Sequence, residues 1–459
     1  MIFMGSGPVS RCMLLAFRFK NHRSFLKGGE LSLLSHRADK THPESLIHPP
    51  KDAKVPSQVL PVIAIYGANS AGKTNVLGAF SYLKTAVVES QSGWRPNSGT
   101  KSDRFIGRIG AESPISVEAD IICKGERYRY GFAANSRSFE EEWLYHYKKG
   151  KESLIFMRNT SLRDEKNITN VEFGDLFGGD TLYREGIERR VRDDSLLLSA
   201  AAQDNHPACI EIYNWFDNYV SSLNLETSSD RANAQITASF LAQHDDDYMK
   251  KNVITLLKPV EPNLIDIIIS KNAKTKIPNS MREMLQPDAI ASIESFLAYE
   301  IDFVFKRGRS KIRLPFNKQS KGFQKFFSMC VTIYFALQAG EVLLVDELET
   351  SIHPHLARLI VEMFQSKDIN FGGGQLIFTT HDTGLLDQAL LRRDQIWFVE
   401  KNQMISDLYS LLQFSPRKDE NLERGYLRGR YGAIPALGID LSLLSNSGLT
   451  AEASDASAD

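Results

Sequence analysis

Eight residues carry the clearest chemistry in this sequence. Gly67-Ala-Asn-Ser-Ala-Gly72-Lys73-Thr74 places two glycines five positions apart, then a lysine and a hydroxyl residue. The apolar run Val59–Tyr66 before it reads as a buried strand, and Lys73 to about Glu89 after it reads as a helix. In that setting the glycines let backbone N–H groups close around phosphate oxygens. The helix N-terminus adds positive potential there. Lys73 is expected to reach the β- and γ-phosphates and Thr74 to hold Mg²⁺. Gly67, Asn69, Ser70, Ala71, Gly72, Lys73, Thr74 and Asn75 are the candidate nucleotide contacts.

Three further segments bear on the same chemistry. Val342-Leu-Leu-Val-Asp346-Glu347 runs apolar into two adjacent carboxylates. In a parallel α/β sheet the C-terminal ends of the strands face the ligand crevice. Asp346 is expected to hold Mg²⁺ through water, and Glu347 to polarise an attacking water. Gln375-Leu-Ile-Phe-Thr-Thr-His381-Asp382 is a second apolar strand ending in polar residues, about 35 residues further on. His381 there can hydrogen-bond a γ-phosphate or the water. Ser320 and Gly322 stand at the start of a helical run, where a hydroxyl caps the helix and exposed N–H groups attract an anion.

The elements that must position these groups alternate between strands and helices. Met13–Phe19 alternates as a strand, with a second around Glu30–Leu34. Residues 36–58 hold four prolines and read as loop. Ile115 to about Phe156 has the hairpin pattern of a β-subdomain. Ser195–Gln203 and Pro207–Leu223 read as helices. Phe323–Leu337 and His355–Gln365 are helical, and Val342–Val345, Gln375–Thr379 and Gln395–Glu400 are buried strands. The expected fold is α/β with a β-subdomain and a helical insertion, and the family resemblance set out below implies the two lobes of a P-loop ATPase head. Lobe I spans 13–204, a mainly helical insertion 205–305, lobe II 306–435, and a disordered tail 436–459.

Composition removes other classes. Lys+Arg total 55 and Asp+Glu 56, a net charge of −1, so any nucleic-acid site must be a local patch. Mean hydropathy is −0.26, and no run approaches the ~20 apolar residues of a membrane helix. Cys12, Cys123, Cys209 and Cys330 form no CxxC pair, which speaks against a zinc site or disulfide framework and for a cytoplasmic protein. Met1–Cys12 lacks a signal-peptide pattern and reads as a loose extension.

The order of these motifs resembles an ABC-type ATPase of the SMC and overcoming-lysogenisation branch. The resemblance implies that Ser320 and Gly322 are a signature motif completing the ATP site of a second subunit. It puts Thr350–His353 at the D-loop and makes Gln203 the Q-loop metal ligand, with Gln91 as the rival. A closer resemblance rests on LLAFRFKNHRSF, AIYGANSAGKTNVL, EEWLY, LLLSAAAQ, IFTTHDTGLLD, RRDQIWFVEK and RGRYGAIP. Together these resemble stand-alone ATPases of bacterial anti-phage defence operons, including those of the PARIS system and of abortive-infection pairs with a TOPRIM-type nuclease. Where relatives carry acidic residues before the signature glycine, this chain has Lys318, Gln319 and Lys321.

The function implied is an ATP- and Mg²⁺-dependent switch that senses infection and controls a separate toxic effector. Its partners would be further copies of itself, a TOPRIM-type nuclease and a phage-encoded trigger, with nucleic acid also open. The chain itself is expected to have no nuclease activity, since too little sequence follows His381 for a TOPRIM domain and Asp245–Asp247 reads as a solvated turn. The alternatives are a DNA-repair or chromosome-maintenance ATPase that clamps DNA and, less well matched by the β-rich first half, a transporter subunit. Arg417, Lys418, Arg424, Arg428 and Arg430 with Tyr426 and Tyr431 read as a segment packed on the core rather than a nucleic-acid strip. Tyr128, Arg129 and Tyr130 read as alternate faces of one strand.

Overall fold

A computed structural model describes residues 12–105, 113–163, 169–223, 230–243, 247–271 and 299–435. Most of the expected extension Met1–Cys12, Asp245 and Asp246 of the acidic cluster, and the expected tail 436–459 lie outside these residues.

The first sheet is an antiparallel meander. Its strands are β1 (Met13–Lys20), β2 (Gly29–Ser32), β4 (Ile115–Cys123), β5 (Glu126–Ala134), β6 (Phe139–Lys148), β7 (Lys151–Arg163) and β8 (Thr169–Phe173), in the order β2-β1-β4-β5-β6-β7-β8. Alternation sorts its side chains. Tyr128, Tyr130 and Phe132 point into the core, while Arg129 between them pairs with Asp120 at 3.2 Å on the other face.

The second sheet is mostly parallel and carries the phosphate loop. It runs β16-β15-β3-β14-β13-β9, with β3 (Val62–Gly67), β9 (Val220–Leu223), β13 (Val342–Val345), β14 (Gln375–Thr379), β15 (Ile396–Asn402) and β16 (Ile405–Ser410). Only β16 is antiparallel to its neighbour. Both faces of its central strands are covered, so β3, β13 and β14 read as unbroken apolar runs. Ile63 and Ile65 join one hydrophobic core, and Val62, Ala64 and Tyr66 the other. The first core packs against the meander and α1 (Lys73–Glu89), whose Val76, Phe80, Leu83 and Val87 form a helical-period stripe. The second packs against α7 (Lys321–Phe335) and α8 (Pro354–Gln365).

One buried amide ties the two sheets. Gln375 accepts from Leu14 N at 2.7 Å and donates to Leu14 O at 2.9 Å. A buried carboxylate ties the meander to α3 (Leu197–Gln203): Glu142 accepts from Leu197 N and Leu198 N, from the Tyr130 hydroxyl, and faces Arg158 at 3.6 Å. Burial raises the Glu142 pKa, and Arg158 with the two amides pulls it back.

The limits of the middle segment differ from those expected. The helical run Pro207–Leu223 stops at Asn218, where α4 (Pro207–Asn218) ends, and Val220–Leu223 extends beside β13 as an edge strand. The buried residues of α4 join the core that holds α1, and Val220–Leu223 joins the phosphate-loop sheet. Residue 305 falls inside β11 (Tyr299–Arg307), which pairs with β10 (Leu264–Lys271) and β12 (Ser310–Pro315) in a small third sheet. The described helices between are α5 (Asp230–Gln243) and α6 (Asp247–Leu257). The remainder of the expected insertion, 272–298, lies outside the described residues.

Among the described residues no helix is long and apolar enough to cross a membrane. All four cysteines are buried free thiols.

Candidate functional site

The phosphate loop leaves β3 at Gly67 and enters α1 at Lys73. A Cβ on Gly67 would lie 2.4 Å from Val399 O, so any side chain would push the loop off β15. Gly72 caps α1 at φ +111°, and a Cβ there would meet the Ser24 and Ser406 hydroxyls at 2.7 Å. Ser406 also donates to Ala71 O, and Asn75 donates to Ser24 Oγ at 2.7 Å. Asn75 therefore braces the loop against the Asn21–Phe25 turn. Asn69, Ser70 and Thr74 are exposed.

Lys73 is the hub. Its side chain is buried, and Nζ donates to Gly67 O at 3.0 Å, to Ala68 O at 3.2 Å and to His381 Nε2 at 2.8 Å. Burial pulls its pKa down, opposed by the Glu347, Asp346 and Glu349 carboxylates. His381 Nε2 also lies 3.7 Å from Glu347 Oε1. Burial and then the Lys73 ammonium push the imidazole below its ordinary pKa, with Glu349, Glu347 and Asp346 pulling it back part-way. A neutral ring with its proton on Nδ1 lets Nε2 accept from the Lys73 ammonium.

The two carboxylates are set by a residue the sequence reading passed over. The Thr379 hydroxyl, fully buried, donates to Asp346 Oδ1 at 2.5 Å and accepts from Glu347 N at 2.7 Å. Glu347 sits at φ +49°, a left-handed conformation that costs a residue with a Cβ roughly 1–2 kcal/mol. Thr379 and the Leu348 N–H, which bonds to Thr379 O at 3.0 Å, hold it there. Glu349 was missed too. Its Oε1 accepts from the His381 backbone N–H at 2.5 Å, fixing the switch residue to the turn after β13.

Ser320 caps α7, accepting from Phe323 N at 3.2 Å. A Cβ on Gly322 would lie 3.7 Å from Ser351 O, so this helix start adjoins the Thr350–His353 turn. Gln203 is not brought to the loop. Ser199 donates to Val87 O and Leu196 N bonds Ser90 Oγ, so α3 packs at the far end of α1. The 17 residues of α1 span about 25 Å, so these α3 contacts at Val87 and Ser90 lie at the opposite end of the helix from Lys73. Gln91 shares that end, its carbonyl accepting from Arg192.

The C-terminal basic–aromatic segment packs on the core. Tyr426 and Tyr431 are buried and stack on Phe398 at 5.5 and 5.7 Å. Arg430 pairs with Glu420, while Glu423 accepts from Thr383 beside the switch histidine.

The donor set fits a nucleoside triphosphate with a divalent cation: an ammonium and loop amides on one side, a hydroxyl and two carboxylates on the other. Residues 62–387 match the family described as "AAA domain, putative AbiEii toxin, Type IV TA system". The chain belongs to this AAA family. The matched stretch covers the phosphate loop, the carboxylate pair and His381. No curated protein matches the chain. Among solved structures it is similar to an SMC head bound to the C-winged helix domain of ScpA, at 11% identity, covering 86% of this chain and 97% of that one with a TM-score of 0.40. It is similar to the SMC head domain from Thermotoga maritima, at 11% identity over 86% and 98% with a TM-score of 0.37. A third is the recombination mediator RecF with ATP, at 13% identity over 88% and 100% with a TM-score of 0.32.

Proposed function

We propose that this AAA-family ATPase hydrolyses ATP as a molecular switch in anti-phage defence, and that it controls a separate toxic effector. One observation carries the hydrolytic part: Lys73, His381 and Glu347 converge within hydrogen-bonding or ion-pair distance at the ends of adjacent strands. Lys73 and the loop amides would hold the β- and γ-phosphates. Glu347 would take the proton of the attacking water, and His381 would align that water or the γ-phosphate. Mg²⁺ held by Thr74 and Asp346 would neutralise charge on the phosphate oxygens. Ser320 and Gly322 would act on the triphosphate held by a second copy, so the assembly state would follow nucleotide state.

The defence role is supported by the resemblance to PARIS-type and abortive-infection ATPases, and by a family description that names a toxin–antitoxin system. The effector would be a TOPRIM-type nuclease and the trigger a phage protein. Co-expression with the neighbouring gene tests this. Protection against phage should be present with the wild type and lost with Lys73→Ala. Expressed alone, the chain should be non-toxic and leave plasmid DNA and tRNA intact. Toxicity of the single chain would move the toxin into this protein and overturn the separate-effector reading.

A further inference from the structure

The β11–β12 hairpin carries more cations than it has carboxylate partners among the described residues. From Lys306 to Lys321 the chain has seven Lys or Arg and no Asp or Glu. Lys306, Arg307, Arg309 and Lys311 are exposed around the turn at Gly308. Lys306 lies directly opposite Lys311 in the antiparallel register, so both ammonium groups leave the same face. Like charges placed so destabilise a ladder by up to ~1 kcal/mol. Only Arg313 has a carboxylate partner among the described residues, Asp302 at 2.6 Å. On the inner face Phe303 packs on Phe323 and Phe327 of α7 at 4.7 and 5.1 Å, which joins the hairpin to that helix.

We propose that this hairpin, continued by Lys318 and Lys321 at the start of α7, is a docking surface for double-stranded DNA. The chemistry of the surface selects the partner. A protein interface would present an apolar or aromatic centre, but the only large apolar side chain exposed on the ribbon is Leu314, at 38%. A single strand would be gripped by exposed aromatic rings, and this face has none. Closely spaced cations without apolar anchors suit a phosphate backbone, whose binding releases condensed counterions. Beyond Phe305, where pairing with β10 ends, β11 pairs only with β12, and this two-stranded end fits the B-form major groove, with Arg307 and Arg309 flanking its tip. The deep, narrow major groove of an A-form RNA duplex does not admit it. Lys318 and Lys321 flank Ser320, so DNA on this surface would lie beside the helix start proposed to face a second copy. This goes beyond the ATPase reading and depends only on the surface, not on turnover.

The test is fluorescence anisotropy with a labelled DNA duplex, on the full chain, with and without ATP. The variant neutralises the hairpin: Lys306→Ala, Arg307→Ala, Arg309→Ala and Lys311→Ala together. The milder Lys306→Gln, Lys311→Gln pair stands in if the fourfold variant fails to fold by thermal unfolding. Wild type should bind the duplex at low salt. The fourfold variant should lose at least tenfold in affinity, and the slope of log K against log salt should flatten by roughly 0.9 per phosphate contact removed. Basal ATP turnover should be unchanged. Absence of duplex binding by the wild type overturns the assignment, as does unchanged affinity in the variant. Displacement of the DNA by duplex RNA or polyglutamate at equal charge also overturns it, the latter in favour of an acidic protein partner. Loss of DNA binding with normal turnover, or the reverse, separates this surface from the ATP site.

Discussion

Lys73 Nζ lies 2.8 Å from His381 Nε2, across 308 residues of sequence. The phosphate-loop lysine and His381 thus contact each other directly. A group that draws the ammonium toward phosphate oxygens must at the same time release or re-aim the imidazole. The same imidazole is 3.7 Å from Glu347 and is fixed through its backbone to Glu349. Lys73, Glu347 and, through Glu349, the turn after β13 are linked through this one residue.

Lys73→Ala should abolish nucleotide binding while the chain still folds. The alanine removes the cation for the β- and γ-phosphates and also the brace to Gly67 O and Ala68 O. Calorimetric titration with ATP checks this. Unchanged affinity would show that the loop does not hold phosphates.

Thr379→Val keeps the shape of a fully buried side chain and removes the hydroxyl shared by Asp346 and Glu347. Loss of such an orienting partner commonly costs about 10–100-fold in activity. The expected outcome is a drop in kcat of that size, with ATP affinity held within a few-fold, and recovery in Thr379→Ser. A Thr379→Val enzyme with wild-type kcat would mean the carboxylates orient themselves.

His22 is 1% exposed, and burial followed by the Arg23 charge lowers its pKa from 6.5 to about 4. Below pH 6.5 the unfolded chain takes a proton that the folded chain refuses until about 4. Stability therefore falls as pH drops through that window, by about 3 kcal/mol in full. Urea midpoints at about pH 7 and about pH 4.5 should differ less in His22→Leu than in wild type, whatever the substitution does to absolute stability. Equal pH dependence in the two proteins would exclude His22 as the source.

Mixing a Lys73→Ala subunit with a Gly322→Asp subunit tests the shared site. In a mixed dimer one composite site keeps its own Lys73 and the partner's intact Gly322, and the other has neither. Partial recovery of turnover is expected, provided single sites can fire. No recovery, with mixed assembly and single-site turnover both verified, would place Ser320 and Gly322 outside the reaction.

What could be read from the sequence was what local context determines. Strand, glycine loop and helix follow one another within Val62–Glu89, so the loop declared itself, and the carboxylate pair and His381 each end an apolar run. Thr379 did not, because its role comes from parallel pairing of Val345 with Phe378, which sets Thr379 beside Asp346. Glu349 was hidden for a similar reason: its partner is a backbone N–H 32 residues away. Gln203 looked suitable by residue type, but the bonds from Ser199 and Leu196 to the end of α1 decide its position. Val220–Leu223 follows a helix and has apolar residues three apart, which continues a helical pattern; only the open edge of β13 makes it a strand.

The most direct measurement of the central claim is phosphate release set beside nucleotide binding for wild type and Glu347→Gln. The amide keeps the shape of Glu347 and cannot accept the water's proton. Wild type should release phosphate from ATP with Mg²⁺, and Glu347→Gln should bind ATP as tightly while turning over about 10²–10⁴-fold more slowly. Turnover by Glu347→Gln at the wild-type rate, with ATP bound, would contradict the assignment of water activation to Glu347 and with it the convergence of Lys73, His381 and Glu347 as a hydrolytic site.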